Sequence, residues 1–319
     1  MKSVILVTAI GTATSSAIIS QLRNSGDYYI IGGDIYLRNQ VATAKDVDEF
    51  YTFPPAIHDL EGYIEFVIDF CKKHRIEYYF ASIDEEVVNL SVHRKRFEEI
   101  GVKLCIPNDE LIRICHYKDK FSEWINSNIP EIEIKRYKRF DEVDTYPVFI
   151  KPVEGRASIG CRKIENKKEA DELLCKGIKE EEYLIQEFSD GEIITVDLVR
   201  NARTRQKQQI QRIEYLRNAN GCGLAVEIVD IPILRDICDE LMERLELNGV
   251  VNAEFFHKEN SFKIIEINPR FSAGTSFSYL AGCDVVADAI RIANDEACEF
   301  GIPAIGAHLA KRYETYRLD

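Results

Sequence analysis

The chain has 319 residues, which suits two or three domains at a typical size of about 150 residues each. Hydrophobic residues make up 45% and charged residues 30%, the balance of a folded globular protein and not of a disordered one. The net charge of −13 argues against nucleic acid as a partner, since a phosphate backbone is met by a basic footprint. It leaves room for a small anion held by a few placed cations.

The nine cysteines, at 71, 105, 115, 161, 175, 222, 238, 283 and 298, form no C-x-x-C pair. They read as reduced, mostly buried small side chains, and a cytoplasmic setting is expected. No run approaches the 18 or so apolar residues of a membrane span, so no membrane association is expected.

In chain order, Val4–Ala9 reads as a buried strand, Ser15–Asn24 as a helix and Tyr28–Gly33 as a second strand. Ile64–His74 has amphipathic helix spacing, Glu77–Ser82 is a strand, and Val87–Ile100 reads as one helix ended by Gly101. Val102–Ile106 is a further strand. This alternation predicts a parallel sheet with helices on its faces. Leu111–Asn126 reads as one helix, broken before Pro130. Tyr146–Pro152 and Arg162–Glu165 are strand-like, and Asn166 three residues before Glu169 marks the start of a helix over Lys167–Cys175. Strands follow at Tyr183–Phe188 and Ile193–Val199, a solvated strand or loop at Asn201–Gln211, and a helix at Ile233–Leu245. Val250–Phe256 and Phe262–Asn268 are strands, and Val285–Ala293 is a helix.

The strongest constellation is Glu254, Glu266 and Asn268. If the last two strands pair as a hairpin centred on Asn260, Glu254 faces Glu266 and Asn252 faces Asn268, and residues two apart share one face. Facing like charges are destabilising unless a cation lies between them, and oxygen donors suit Mg2+. A hairpin with one solvent face would carry the same acids. Arg270 sets a guanidinium beside this site, suited to phosphate or carboxylate.

Lys151-Pro152 leads into Glu154-Gly155-Arg156-Ala157-Ser158-Ile159-Gly160. The two glycines match half of a P-loop, but Cys161-Arg162 stands where Lys-Ser/Thr is required, so a Walker site is rejected. A glycine hairpin loop with a lysine at its base can still cover phosphates through backbone N–H groups, and a plain turn remains the alternative. Asp119-Lys120 reads alone as a surface pair, and Gln186–Glu192 as a polar loop. The Gly11–Ser16 loop has one glycine where a dinucleotide fingerprint needs three. Asp34 could touch a ribose or cap the next segment. No G-x-S-x-G is present.

Taken in order, these pieces resemble the ATP-grasp superfamily, in its carbamoyl-phosphate-synthetase-like branch of short carboxylate–amine ligases. The likeness runs from the strand-rich N-terminal part through Asp119-Lys120-Phe121 and Phe149-Ile150-Lys151-Pro152 to Ile265-Glu266-Ile267-Asn268-Pro269-Arg270. It implies an α/β fold: a Rossmann-like parallel-sheet domain over 1–108, then a two-lobed ATP-grasp α+β module. Lobe A with the glycine flap would span 109–185, and lobe B with the metal and catalytic residues 186–319.

By the same resemblance, Lys120 and Lys151 would hold ATP phosphates, and Ser158 and Gly160 would lie in the flap. Glu187 and Phe188 would form the hinge against adenine. Glu254, Glu266 and Asn268 would bind two Mg2+ ions, with Mn2+ as a substitute. Arg270 would stabilise the transferred phosphoryl group, and Arg212 is a further candidate for phosphate or substrate contact. The likeness departs where the ribose is held: relatives often have an acid two positions after the hinge glycine, whereas here that position is Ile193 and the acid is Glu192. The stretch after Arg270 is short, so the extra C-terminal domain of some relatives is not expected.

The expected activity is ATP- and Mg2+-dependent, ADP-forming ligation of a small carboxylic acid, an amino acid by preference, to an amine. The partners expected are these small molecules, with a homodimer as one open arrangement. The rival readings are a carbamoyl-phosphate-synthetase-like subunit acting on bicarbonate, and a nucleotide-binding regulatory protein without catalysis.

Overall fold

The computed structural model describes residues 2–57, 59–153 and 160–318, with Ser25 described by its backbone only. The first part is β1 (Ser3–Thr8), α1 (Ala13–Ser25), β2 (Tyr28–Asp34), β3 (Glu49–Thr52), α2 (Leu60–His74), β4 (Tyr78–Phe80), α3 (Asp84–Val92), α4 (Arg94–Glu99) and β5 (Lys103–Leu104). The strands form a parallel sheet in the order β3-β2-β1-β4-β5. The order reverses between β1 and β4, and such switch points open a crevice at the carboxyl ends of the strands. The loop after β1 and the start of α3 lie there. Val87–Ile100 is two helices and not one: His93 leaves helical geometry, at φ −106° and ψ 12°, and the chain turns.

The next helices are α5 (Asp109–His116) and α6 (Lys118–Asn128). The single helix expected over Leu111–Asn126 is interrupted because Tyr117 is extended, at φ −92° and ψ 111°. Together the two helices bury Leu111, Cys115, Phe121 and Ile125 against the largest sheet.

A four-stranded antiparallel sheet follows, from β6 (Arg136–Tyr137), β7 (Val148–Pro152), β8 (Arg162–Ile164) and β9 (Tyr183–Glu187), in the order β6-β9-β7-β8. Helix α7 (Lys167–Cys175) covers it, and Val148, Ile150, Ile164, Ala170, Leu173 and Ile185 make a small separate core. Asn166 caps α7, accepting from the Glu169 N–H at 3.1 Å, while the Glu169 carboxylate reaches back to the Glu165 N–H at 2.9 Å.

The largest sheet has six antiparallel strands: β10 (Glu192–Arg200), β11 (Lys207–Arg217), β12 (Gly223–Val229), β13 (Gly249–Lys258), β14 (Ser261–Asn268) and β15 (His308–Ala310). Their order is β14-β13-β10-β11-β12-β15. Helices α8 (Pro232–Arg244), α9 (Thr275–Leu280) and α10 (Val285–Ala293) complete the fold. The stretch Asn201–Gln211 is less solvated than its composition suggests. After a turn it enters β11, and Ile210 and Gln211 are buried.

The two faces of this sheet differ. Ile194, Val196 and Leu198, with Val251, Ala253 and Phe255, pack under α5, α6 and α8. The other face is split. At one end Val199, Ile210, Ile228 and Val250 join a core with α1, α10 and the parallel sheet. At the other end the alternate positions are polar, and this end forms the candidate site.

All nine cysteines are unpaired. Six are buried, Cys175 is exposed, and Cys161 and Cys222 lie between. Burial pushes the Cys71 thiol up to about 12, so it is a packing group and not a nucleophile. No helix among the described residues is long and apolar enough to cross a membrane.

Candidate active site

The site is a polar grid on one face of the largest sheet. At one level Glu266 of β14 stands opposite Glu254 of β13, Glu254 opposite Thr195 of β10, and Thr195 opposite Arg212 of β11. Two residues along, Asn268 stands opposite Asn252, and Asn252 opposite Asp197. Directly paired residues share a face, as do alternate ones, so all seven project to the same side.

The hairpin differs from the one expected, yet reaches the same facing pairs. The turn is Glu259-Asn260, closed by Lys258 opposite Ser261, with Glu259 at φ 56°. That register alone would set Glu254 against Ile265. A bulge at Ile265 inserts one extra residue and brings Glu266 opposite Glu254.

Glu254 and Glu266 cannot both be charged there without compensation. Burial and the facing Glu266 push the Glu254 carboxyl up to about 7. The Asn268 amide nitrogen lies 3.2 Å from Glu266 Oε1 and 3.5 Å from Glu254 Oε1. Arg217 approaches from β11, its NH2 donating to Glu254 Oε2 at 2.7 Å and its Nε 2.7 Å from Glu214 Oε2. Two carboxylates and an amide on adjacent strands are a hard oxygen-donor set of the kind Mg2+ takes, with waters or phosphates completing its shell. Two carboxylates facing each other across adjacent strands concentrate negative charge that fits such an ion. No group of three or more His, Cys, Asp or Glu gathers as a metal nest among the described residues.

Arg212 sits deeper. Its guanidinium is 1% exposed and is engaged by Asp197 at 2.6 and 3.1 Å, with Ser278 at 3.0 Å and Ser272 at 3.5 Å. Asp197 also accepts from Asn252 at 3.0 Å, Ser272 at 3.1 Å and Ser278 at 2.6 Å. Burial alone would raise the Asp197 carboxyl, but the Arg212 charge and these donors hold it below the usual range. Gly274 lies flat on the guanidinium; a Cβ there would fall 2.6 Å from NH2. The network ties β10, β11 and β13 to the loop after β14 and to α9, which sets the platform carrying Arg270.

Arg270 projects toward the parallel sheet. Its Nε and NH2 donate to the Asp84 carboxylate at 2.7 and 3.2 Å, and NH2 also reaches Asn268 Oδ1 at 3.2 Å. Asp84 opens α3 at the switch point. The first turn of α3 is anchored by Glu86, a buried carboxyl raised by desolvation that accepts from Thr8 at 2.7 Å and from the Tyr63 and Tyr79 hydroxyls. The parallel-sheet domain thus contributes a carboxylate to the site.

Lys151 lies next to the end of β7 and is half-buried. Desolvation lowers its ammonium to about 8, against the opposing pull of the Glu266 charge. Arg136 and Lys118 are the other cations acting on it, and Arg136 NH1 donates to the Lys118 carbonyl at 3.0 Å. Lys120 is not in this group. It is exposed, its Nζ 4.5 Å from the Tyr117 ring centre.

Ser158 lies outside the described residues. Gly160 stands at φ 79°, and a Cβ there would meet Pro152 at 2.8 Å. Glu187 ends β9 of the small sheet, and Phe188 begins the connection to the large sheet. Glu187 Oε1 accepts from the Lys135 N–H at 3.2 Å, and the Phe188 ring faces Lys163 at 4.5 Å. Glu192 starts β10 with an exposed side chain, 3.7 Å from His257 Nδ1. Asp34 accepts from the N–H groups of Gly11 at 2.8 Å and Tyr36 at 3.1 Å, the capping alternative.

Sequence reasoning missed Asp84, Arg217, Arg136, Lys118 and Asp197. Only Asp197 left a local trace: Thr195 and Asp197 are polar at alternate positions of an otherwise apolar strand.

The fold agrees with the comparisons. The model of the ATP-grasp domain matches residues 115–274, and that of the PylC-like N-terminal domain matches residues 5–105. The chain belongs to the ATP-grasp family. It is similar to the 3-methyl-D-ornithine–L-lysine ligase of Methanosarcina barkeri, 23% identical over 210 residues that cover 65% of this chain and 53% of the relative. The chain spans about half the length of the curated relatives it matches. Among solved structures it resembles the biotin carboxylase domain of Hydrogenobacter thermophilus 2-oxoglutarate carboxylase, with a TM-score of 0.75 and 16% identity over 96% of this chain and 72% of that one. It also resembles N5-carboxyaminoimidazole ribonucleotide synthetase from Thermotoga maritima, with a TM-score of 0.69 and 20% identity over 97% and 80%. At these identities the likeness is one of fold.

Proposed function

We propose that the protein is an ATP- and Mg2+-dependent, ADP-forming ligase that joins a small carboxylic acid, an amino acid by preference, to an amine. The observation that carries this reading is the facing pair Glu254 and Glu266, with Asn268 on the same face, Arg270 donating to Asn268 Oδ1, and Lys151 acting from the small sheet. The ligase name of the Methanosarcina relative supports the class of substrate. We read the segments 1–108, 109–185 and 186–319 as the substrate-side domain and the two lobes that clasp nucleotide.

A carboxylate is a poor electrophile. In the proposed reaction its oxygen attacks the γ-phosphorus of ATP, ADP leaves, and an acyl phosphate forms. The amine then attacks the carbonyl carbon, and inorganic phosphate leaves with the C–O bond electrons and takes up the proton that the nitrogen loses. Lys151 and Arg270 neutralise the phosphoryl oxygens, and the rigid Arg212–Asp197 platform holds Arg270 in place. Glu254, Glu266 and Asn268 would hold Mg2+, which supplies charge neutralisation at the phosphates. Two ions, with Mn2+ able to replace Mg2+, are part of the proposal. So are phosphate contact by Lys120 and Ser158, adenine contact at Glu187 and Phe188, and ribose contact at Glu192. Lys120 would have to leave its seat over Tyr117. The unpaired cysteines support a reducing, cytoplasmic setting, and the Hydrogenobacter biotin carboxylase domain, a dimer, supports testing for a homodimer.

The test is an acyl-phosphate trap. Incubation with ATP, Mg2+, hydroxylamine and a pool of carboxylic acids should yield one dominant hydroxamate by mass spectrometry, with matching ADP release. Glu266→Ala should abolish both. ADP release stimulated by bicarbonate alone would favour the carbamoyl-phosphate-type reading. Nucleotide binding with no ADP release across a broad acid and amine panel would favour a regulatory role. Full activity in Glu266→Ala would overturn the metal assignment.

A further inference from the structure

The acid pair is met by nitrogen donors. Arg217 donates to Glu254 Oε2 at 2.7 Å, and the Asn268 amide nitrogen faces both carboxylates. Arg217 is delivered there by an irregularity. It lies five residues after Arg212, a separation that in a regular strand sends two side chains to opposite faces. The register of β11 against β12 shifts at Glu214/Leu216 and again at Leu216/Arg217, leaving Tyr215 without a paired residue. The bulge resets the alternation and turns Arg217 back over the acid pair. Its side chain is 25% exposed, and that of Glu254 is 16% exposed, so the pair lies at the rim of the grid and is not locked within it. Asn218–Cys222 follows as a tight loop, closed by Asn218 N–H to Cys222 O at 2.9 Å, with Gly221 at φ 79°.

We infer that Arg217 is the resident counter-ion of the Glu254/Glu266 pair and that a divalent cation entering the site must displace it. The inference rests on the metal assignment proposed above. A guanidinium and a divalent ion sharing one carboxylate repel each other strongly in a half-buried setting. Removing the guanidinium therefore favours the metal, the reverse of what loss of a merely structural arginine would do. Lysine at this position keeps the competing charge.

The test is calorimetric titration of Mn2+ into the nucleotide-free chain, for wild type, Arg217→Gln and Arg217→Lys. Arg217→Gln should bind Mn2+ about two- to fivefold more tightly than wild type, the range set by loss of a partly exposed ion pair. Arg217→Lys should stay near wild type. Equal or weaker Mn2+ binding by Arg217→Gln overturns the inference. Adding Glu266→Gln to Arg217→Gln should remove the binding; if Mn2+ binds as before, the metal assignment itself fails. A second measurement needs no variant: in 15N-labelled wild type, the Arg217 Nε–H resonance should move on addition of Mg2+. A resonance that stays in place at saturating Mg2+ overturns the inference.

Discussion

Arg212 and Arg217 leave the same strand five residues apart and serve different ends. Arg212 is sealed, its terminal nitrogens divided among Asp197, Ser272 and Ser278. Arg217 sits at the rim between Glu214 and Glu254. A buried charge whose partner is removed has no solvent to turn to, so the Arg212 pair is expensive to break. A rim pair is partly solvated and exchanges one partner for another at small cost. Arg270 resembles Arg217 in this respect. Its partner Asp84 is 41% exposed and belongs to the parallel-sheet domain, so water can replace either partner at small cost.

The largest effect should come from breaking the sealed pair. Asp197→Ala strands the Arg212 charge and should cost about 3–5 kcal/mol of stability, read as a fall in the urea midpoint. A loss no larger than that of Arg217→Gln, for which about 1 kcal/mol or less is expected, would erase the distinction between the two arginines.

The next effect is at the domain junction. Asp84→Asn keeps the shape of the side chain but removes the charge that orients Arg270. It should lower kcat by about tenfold, with the KM for ATP and the urea midpoint nearly unchanged. A rise in KM with no change in kcat would instead make Asp84 a ground-state binding contact.

The smallest effect is a matter of pH. Because burial lowers the Lys151 ammonium to about 8, its charge is present below that pH and lost above it. ADP affinity should therefore fall as pH rises from about 7.5 to 9. Lys151→Arg keeps its charge throughout and should flatten the profile. A slope of the same size in that variant would assign the titration to another group.

Much of the fold could be read locally. The helices over Lys167–Cys175 and Val285–Ala293 match the observed ones, because cap and apolar spacing lie within one segment. The parallel sheet follows from alternating strand and helix patterns, although β3 carries too short a signal to be found. The breaks at His93 and Tyr117 leave no mark in the sequence pattern, since a single residue leaving helical geometry does not disturb the apolar period on either side. In the site, Glu254, Glu266, Asn268 and Arg270 were legible because a hairpin is local and its side chains alternate with a period of two. Arg217 was not, because a bulge changes that period without changing composition. Asp84 was not, because its contact with Arg270 spans 186 positions of chain.

What the sequence determined by itself was therefore the family, the three-part α/β plan and the row of acids facing across one hairpin. The family and the three-part plan rest on a resemblance carried by motifs in a fixed order, and the row of acids on the two-residue period of a local hairpin. Only the tertiary structure decided which arginine is sealed and which sits at the rim, that Lys118 and Arg136 act on Lys151 while Lys120 stands apart, and that the first domain reaches the site through Asp84. The physical reason is that these outcomes depend on burial and on strand register. Both are properties of surfaces brought together from distant parts of the chain, and no local window contains them. The −13 net charge first excluded a nucleic-acid backbone. In the folded chain, part of that acidity is gathered opposite the few cations that the proposed chemistry needs.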